Sequence, residues 1–148
     1  MQASNRQRVL FVQPVLAPYS VPRYRELARS ELLDVHIALE AKCLPTRPGW
    51  VPRDIEGCQI HVLDQDKHTA NGTCEKQTAR PGRVPYRLVG LITQLKPDAV
   101  IVCNPTQFLC ALLAKTMHKF RIGLLLEDSP LSERRKNPVI QLLRKLVY

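Results

Sequence analysis

The polar residues that could do chemistry in this chain stand directly after apolar runs typical of buried strands. Three such groups occur: Tyr19, Ser20 and Arg23 after the first run, Asn104, Thr106 and Gln107 after a later run, and Glu127, Asp128 and Ser129 after the last. Hydroxyl, amide and carboxylate groups that converge at one sheet edge suit a polyhydroxylated ligand. Glu127 and Asp128 are the candidates for a general base, because their carboxylates begin a loop that leads towards a helix.

Each of these residues alone also has a purely structural interpretation. Asn104 and Thr106 can cap the helix that follows them, since their side-chain oxygens can accept hydrogen bonds from its first N–H groups. Asp128 and Ser129 can form an ordinary turn before Pro130. Both interpretations stay open for each residue, whereas the three groups together favour a binding site.

Several other kinds of site are not indicated. The turn at 13–19 after the first apolar run contains no glycine, so it cannot close on a pyrophosphate as a G-x-G-x-x-G or Walker loop does. The four histidines are scattered, without the spacing of metal ligands: His36, His61, His68 and His118. The sequence therefore predicts no nucleotide cofactor at this turn and no metal site, and it favours packed or edge positions for the strand histidines.

The elements that position these residues follow an α/β pattern. Apolar runs predict five strands, at 8–13, 33–39, 58–63, 99–103 and 121–126, and helical spacing predicts helices at 22–30, 85–96, over 108–117 and from 138. The stretch 97–106 is expected to be the central strand, buried on both faces, and the turn after it. Because ligands collect at the carboxyl ends of such strands, Asn104 to Gln107 lie where a site is expected. The predicted fold is a Rossmann-like parallel sheet with helices on both faces.

Side-chain periodicity also predicts which helix residues share an apolar face. One predicted face consists of Leu88, Leu91, Ile92 and Leu95, and the next consists of Phe108, Leu109, Leu112, Leu113, Thr116 and Met117. Two long connections interrupt the pattern. The first, at 42–57, carries Trp50, which we expect to plug the core of the domain, and the second, at 64–83, is expected to be a loose surface connection.

The composition is that of one basic domain. A length of 148 residues and a hydrophobic content of 45% fit a single domain at 1–148. The net charge of +9 suits an anionic partner, which can be nucleic acid, a phosphate-bearing small molecule or membrane headgroups. Aromatic residues make up 5% of the chain and are not interleaved with basic ones, which argues against nucleic-acid binding.

The cysteines and the N-terminus predict a cytoplasmic protein. The five cysteines form no Cys-x-x-Cys and are expected to be reduced, buried thiols: Cys43, Cys58, Cys74, Cys103 and Cys110. The first apolar run, from Val9 to Val12, is too short for a signal peptide or a spanning helix.

The C-terminal region is basic and amphipathic. A cluster at 134–136 precedes a predicted helix whose apolar face consists of Val139, Leu142, Leu143 and Leu146. We favour packing of this helix on the sheet; the alternative is a peripheral contact of the basic region with anionic headgroups at the inner face of a membrane. The helix has no stop signal before Tyr148, so we expect the chain to be cut from a longer protein.

Three stretches resemble a known enzyme family. The opening RVLFVQPVLAPYSVPRYREL (8–27) is similar to the start of family-4-type glycosyltransferases of GT-B fold, in which the first strand runs into a loop containing proline and tyrosine. LKPDAVIVCN (95–104) resembles their fourth-strand stretch, and IGLLLEDSP (122–130) resembles the strand and acidic turn that follow. The resemblance covers nearly all of this chain, but corresponds to the N-terminal half of such an enzyme.

The resemblance implies an acceptor-binding domain. In that family the N-terminal domain binds the acceptor, which can be a glycan, a lipid-linked molecule or a small molecule, and the C-terminal domain binds the nucleotide-sugar donor without an essential metal or cofactor. The implied acceptor-side residues are Pro18, Tyr19, Arg23, Asn104 and Thr106, and the residues implied near the acceptor hydroxyl are Glu127 and Asp128. The family's C-terminal E-x7-E donor motif is absent from the sequence, so we expect this chain alone to be inactive. The alternative is a noncatalytic Rossmann-like module that binds an anionic metabolite or partner.

Overall fold

The computed structural model describes residues 6–42, 50, 53–64 and 83–125. In chain order the elements are β1 (Gln7–Gln13), a 3-10 turn (Pro18–Ser20), α1 (Val21–Ala28), β2 (Leu33–Leu39), β3 (Cys58–Val62), α2 (Arg83–Leu95), β4 (Ala99–Val102), α3 (Pro105–Lys115) and β5 (Arg121–Leu124). Every strand pair in this part of the chain is parallel. The predicted α/β fold with a Rossmann-like parallel sheet is confirmed.

The strand order is β3-β2-β1-β4-β5. The centre of the described sheet is therefore β1, and the expectation that the strand at 99–103 is central is wrong. Apolarity alone could not distinguish the two strands, because both are covered by other elements on both faces. The difference is in burial: Val9 to Val12 of β1 are all buried, whereas Ala99 and Ile101 of β4 are partly exposed.

Two apolar layers sandwich the sheet. Leu10 and Val12 of β1 point into the layer that also contains Leu88 and Ile92 of α2. The alternate β1 residues Val9 and Phe11 point into the opposite layer, together with Tyr24 of α1 and Ile37 of β2. This alternation along one strand is what a sheet covered by helices on both faces requires.

The helix ends follow local backbone rules. α1 begins one residue before Pro22, and Ser20 is its N-cap by position, but the Ser20 hydroxyl donates to the Ala17 carbonyl at 2.7 Å instead of capping the helix. α2 begins before Pro85, which lies in the first turn, where a missing N–H costs no helical hydrogen bond. It ends at Leu95, before Lys96 with a φ of 47° and Pro97, which cannot continue a helix.

The buried face of α3 differs from the predicted one. Gln107, Ala111 and Ala114 are buried against the sheet, whereas the predicted apolar residues Leu109, Leu112, Leu113 and Met117 are exposed. α3 is apolar nearly all round, so helical spacing could not decide which stripe faces inwards; the small alanines permit close approach to the sheet. No helix in the described part of the chain is long and apolar enough to span a membrane.

Candidate functional site

The carboxyl ends of β1 and β4 form the point at which the strand order reverses. β1 leads to β2 on one side of the sheet, and its neighbour on the other side is β4. In open α/β sheets, ligands bind in the crevice that such a reversal opens between the two loops. The predicted residues follow these two strands: Pro18, Tyr19 and Arg23 come after β1, and Asn104 and Thr106 come after β4. We call this place the switch-point crevice.

The segment after β1 contains one exposed aromatic ring, Tyr19, and one buried ring, Tyr24. Tyr19 lies in the 3-10 turn and is 63% exposed. Tyr24, one turn into α1, is fully buried and contacts Phe11 of β1 edge to face, with ring centroids 5.1 Å apart. The Arg23 guanidinium lies 5.2 Å from the centroid of the Tyr24 ring, within range of a cation–π interaction. The segment is thereby anchored to the core while Tyr19 stays accessible.

Trp50 contacts Tyr19. The two ring centroids are 5.9 Å apart at an interplanar angle of 83°, an edge-to-face arrangement. Trp50 is half-buried and belongs to neither apolar layer of the sheet. The expectation of a core plug is therefore wrong: the ring packs instead on an exposed aromatic residue at the carboxyl edge.

On the other side of the crevice, Asn104 caps α3. Its Oδ1 accepts a hydrogen bond from the backbone N–H of Gln107 at 2.8 Å, so the structural interpretation of this residue holds. Its amide also faces Glu40, the residue directly after β2: Asn104 Nδ2 donates to Glu40 Oε1 at 3.4 Å. Gln107 Nε2 donates to the same oxygen at 2.8 Å. One carboxylate oxygen is thus held by two side-chain amides.

Gln107 connects this carboxylate to the end of β4. The side chain is 1% exposed, and its Oε1 accepts a hydrogen bond from the backbone N–H of Cys103 at 3.0 Å. The Cys103 thiol lies 3.2 Å from the Val12 carbonyl oxygen of β1. The ends of β1, β2 and β4 are therefore joined by one hydrogen-bonded group, which we call the Glu40 network: Glu40, Asn104, Gln107 and Cys103.

Glu40 is the residue that sequence reasoning missed. It stands directly after an apolar strand, so the same strand-end argument that selected Asn104 would have selected it. Its contacts with Asn104 and Gln107 span 64 and 67 residues of sequence and follow from the strand order, which the sequence does not display. Of the other predicted residues, Thr106 is exposed in the first turn of α3. Glu127 and Asp128 lie outside the described residues, as does the basic cluster at 134–136.

Two further buried polar oxygens lie at the same edge of the sheet. Gln13 at the end of β1 is 5% exposed and Asp64 after β3 is 2% exposed. Gln13 Oε1 and Asp64 Oδ1 have no hydrogen-bond partner among the described residues. Since leaving a buried polar group unpaired costs about 1–3 kcal/mol, these are groups that ordered water or a ligand would satisfy.

The strand histidines form a packed pair away from this edge. His36 Nδ1 lies 3.0 Å from His61 Nε2, and the rings stack at an angle of 9°. His36 Nε2 lies 3.2 Å from Asp34 Oδ2, which also accepts a hydrogen bond from Arg8 Nε at 2.8 Å. Among the described residues no group of three potential metal ligands occurs. The prediction of packed or edge positions is confirmed: His36 is buried in β2, and His61 is half-buried on β3 at the edge of the described sheet.

The described thiols are free. Cys58, Cys103 and Cys110 form no disulfide, which agrees with the prediction of reduced thiols, although all three are only half-buried. Burial raises the pKa of the Cys58 thiol. Burial and, to a smaller extent, the charge of Glu40 raise the pKa of Cys110. Cys43 and Cys74 lie outside the described residues.

Comparison of the chain with protein-family models, with curated proteins and with solved structures found no match.

Proposed function

We propose that this chain is the acceptor-binding N-terminal domain of a GT-B glycosyltransferase of the family-4 type. The observation that carries the proposal is the Glu40 network at the switch-point crevice, together with the exposed Tyr19 ring on the opposite loop. A nucleotide sugar would be bound by a second domain, and transfer would take place between the two.

The chemistry of the crevice favours an uncharged, hydroxyl-bearing ligand. Glu40 Oε1 accepts bonds from both Asn104 and Gln107, and no described residue donates to its other oxygen. The two bonds to Oε1 hold the carboxylate in place, and its other oxygen is then a strong acceptor for a ligand hydroxyl. Tyr19 adds an exposed flat ring against which the apolar face of a sugar can pack.

The same carboxylate weighs against the alternative of an anionic metabolite in this crevice. A phosphate or carboxylate ligand close to Glu40 would meet a like charge, which disfavours binding. Arg23 is the basic residue that the predicted set contributes, and its guanidinium lies against the Tyr24 ring. An anionic partner of the kind that a net charge of +9 suits is therefore expected at another surface of the chain.

Binding can be followed through Trp50, because it is the single tryptophan of the chain and contacts Tyr19. We expect uncharged mono- or oligosaccharides to change its emission saturably, and nucleotide sugars and sugar phosphates to have little effect. Glu40→Gln should weaken sugar binding about tenfold, which corresponds to about 1.4 kcal/mol. The matched control is Glu26→Gln. The Glu26 side chain is exposed on α1, so this variant should bind sugars like the wild type.

The full-length gene product provides the test of catalysis. It should transfer sugar from a nucleotide-sugar donor, and Glu40→Gln should raise the KM for the acceptor while leaving the KM for the donor unchanged. Tight binding of nucleotides or phosphorylated metabolites by the present chain, abolished by substitutions at the crevice, would instead support the noncatalytic module.

A further inference from the structure

The starts of three neighbouring strands carry a cluster of positive charges. β1, β4 and β5 lie side by side in the sheet. At their starts the Asp98 N–H donates to the Arg8 carbonyl at 2.8 Å, and the Arg121 N–H donates to the Asp98 carbonyl at 2.9 Å. Since neighbouring strands are about 4.8 Å apart, the three starts span about 10 Å. The exposed basic residues there, which we call the amino-edge cluster, are Arg6, Lys96, Lys119 and Arg121.

The charges of this cluster are not neutralised within the described part of the chain. No described residue forms an ion pair with any of its members. Asp98 precedes β4, but its Oδ2 accepts a hydrogen bond from the Arg8 backbone N–H at 2.7 Å. Lys96 follows the end of α2, where a cation also complements the helix dipole, whereas the other three members lie outside the described helices. A group of uncompensated like charges favours an anionic partner.

The other half of the same edge is acidic. Exposed carboxylates stand in the turn before β2 and in the segment before β3: Glu31, Asp54 and Glu56. Of the basic residues in these segments, Arg29 is paired with Glu26 at 2.9 Å, and Arg53 is the other. Because β2 and β3 continue the sheet on the far side of β1, negative charge bounds the amino-edge cluster on that side.

We infer that the amino-edge cluster binds a short acidic segment of a partner protein. An extended peptide advances about 3.3 Å per residue, so about three to five residues cover the three basic strand starts and end before the acidic half of the edge. The contact goes beyond the proposed function. β1 has 7 residues, and its length of about 20 Å separates the amino-edge cluster from the switch-point crevice.

The acidic boundary weighs against broader polyanions. A nucleic-acid duplex or a bilayer is wider than three strands and would also meet the carboxylates before β2 and β3, which disfavours binding. Single-stranded nucleic acid needs aromatic rings on which its bases stack. The exposed Tyr19 and Tyr86 rings lie at the opposite edge, after β1 and in the first turn of α2. A compact phosphate would face the C-terminal ends of α2 and α3, whose partial charge is negative.

Fluorescence anisotropy with a labelled hexaglutamate peptide tests the inference on the whole chain. We expect saturable binding that weakens as the salt concentration is raised. Lys119→Gln with Arg121→Gln should weaken binding about fivefold or more, and so should Arg6→Gln with Lys96→Asn. The four substitutions together should abolish it. Asn is chosen at Lys96 because this residue has a φ of 47°, which Asn tolerates better than most residues.

The matched control removes the same two residue types from other surfaces. Lys42 lies after β2 and Arg25 lies in α1, and both are exposed. Lys42→Gln with Arg25→Gln should change the affinity for hexaglutamate less than about twofold, because charges more than about 10 Å away are screened. Circular dichroism and urea unfolding of every variant will show that the fold is retained, as expected for exposed positions.

A further variant tests the acidic boundary. Glu31→Gln with Glu56→Gln removes two carboxylates beside the cluster. It should strengthen binding of a short DNA duplex about fivefold or more, because the repulsion that opposes the duplex is removed. Binding of hexaglutamate, which ends before these positions, should change less than about twofold.

Three results would overturn the inference. The first is an absence of saturable hexaglutamate binding to the wild-type chain. The second is an equal loss in the cluster variants and the matched control, or a loss that occurs only with substitutions at 134–136. The third is tighter binding of the DNA duplex, or of vesicles that contain phosphatidylglycerol, than of hexaglutamate. If the cluster substitutions then abolished that tighter binding, the surface would belong to nucleic acid or to a bilayer.

Discussion

Exchange of charge between Gln107 and Glu40 provides the most direct test of the Glu40 network. In the wild-type chain Gln107 Nε2 donates to Glu40 Oε1 at 2.8 Å, while Gln107 Oε1 accepts from the Cys103 N–H at 3.0 Å. Gln107→Glu keeps the acceptor for Cys103 but replaces the donor with a second carboxylate oxygen. We therefore expect this substitution to destabilise the domain although it changes the side-chain volume very little.

The magnitude follows from the contact that is lost. A hydrogen bond to a charged group contributes about 1.5–3 kcal/mol, and two unit charges 3–4 Å apart repel by about 4–5 kcal/mol at an effective dielectric constant of 20 and by about 1 kcal/mol in water. Glu40 is half-buried and can turn towards solvent, so the repulsion lies near the lower limit. We expect Gln107→Glu to cost about 2–4 kcal/mol of unfolding free energy at neutral pH. The cost should shrink as the pH is lowered, because a proton shared by the two carboxylates restores a donor between them.

The reciprocal substitution should restore the bond. In the double variant Glu40→Gln with Gln107→Glu, the amide at position 40 can donate to the carboxylate at position 107. Glu40→Gln alone should cost about 1 kcal/mol, because a neutral acceptor replaces a charged one. Urea unfolding of the wild type, both single variants and the double variant gives the coupling energy, which we expect to be at least about 1.5 kcal/mol in favour of the double variant. Additivity within about 0.5 kcal/mol would refute a direct contact between the two side chains.

Two further predictions concern stability. Gly57 has a φ of 79°, and a Cβ there would lie 3.0 Å from the Ala28 Cβ, so Gly57→Ala should lower the unfolding free energy by about 1–3 kcal/mol. Gly90 lies on α2, and an added Cβ would have no atom within 4 Å. Gly90→Ala should therefore raise the unfolding free energy by about 0.5–1 kcal/mol. Urea midpoints measure both, and equal effects would contradict the argument. Burial and, to a smaller extent, the charge of His36 hold the pKa of His61 below its ordinary value. As the pH falls, His61 therefore becomes protonated in the unfolded chain at a higher pH than in the folded one. Its contribution to stability is complete above about pH 6.5 and is lost as the pH falls below that value. His61→Gln should flatten the pH dependence of the urea midpoint between about pH 7 and 5.5. An unchanged dependence would show that His61 does not contribute to stability in this way.

How far the sequence predicts this molecule depends on whether a feature is local. β2 was predicted at its observed bounds, because a strand buried on both faces is a short apolar run between turns. The face of α3 could not be predicted in the same way. Periodicity locates apolar stripes, but when a helix carries apolar residues nearly all round, the stripe that packs is decided by how closely the backbone approaches the sheet. Ala111 and Ala114 permit that approach and leucines do not.

The candidate site was predictable in its loops but not in its connections. Asn104 was found because it follows an apolar run and precedes a helix, which is information carried by neighbouring residues. Glu40 meets Asn104 only because β1 lies between β2 and β4, and that order is set by long-range pairing that no local pattern records. Local sequence patterns identify the residues at strand ends. They do not give the order of the strands in the sheet, and that order decides which strand ends are neighbours.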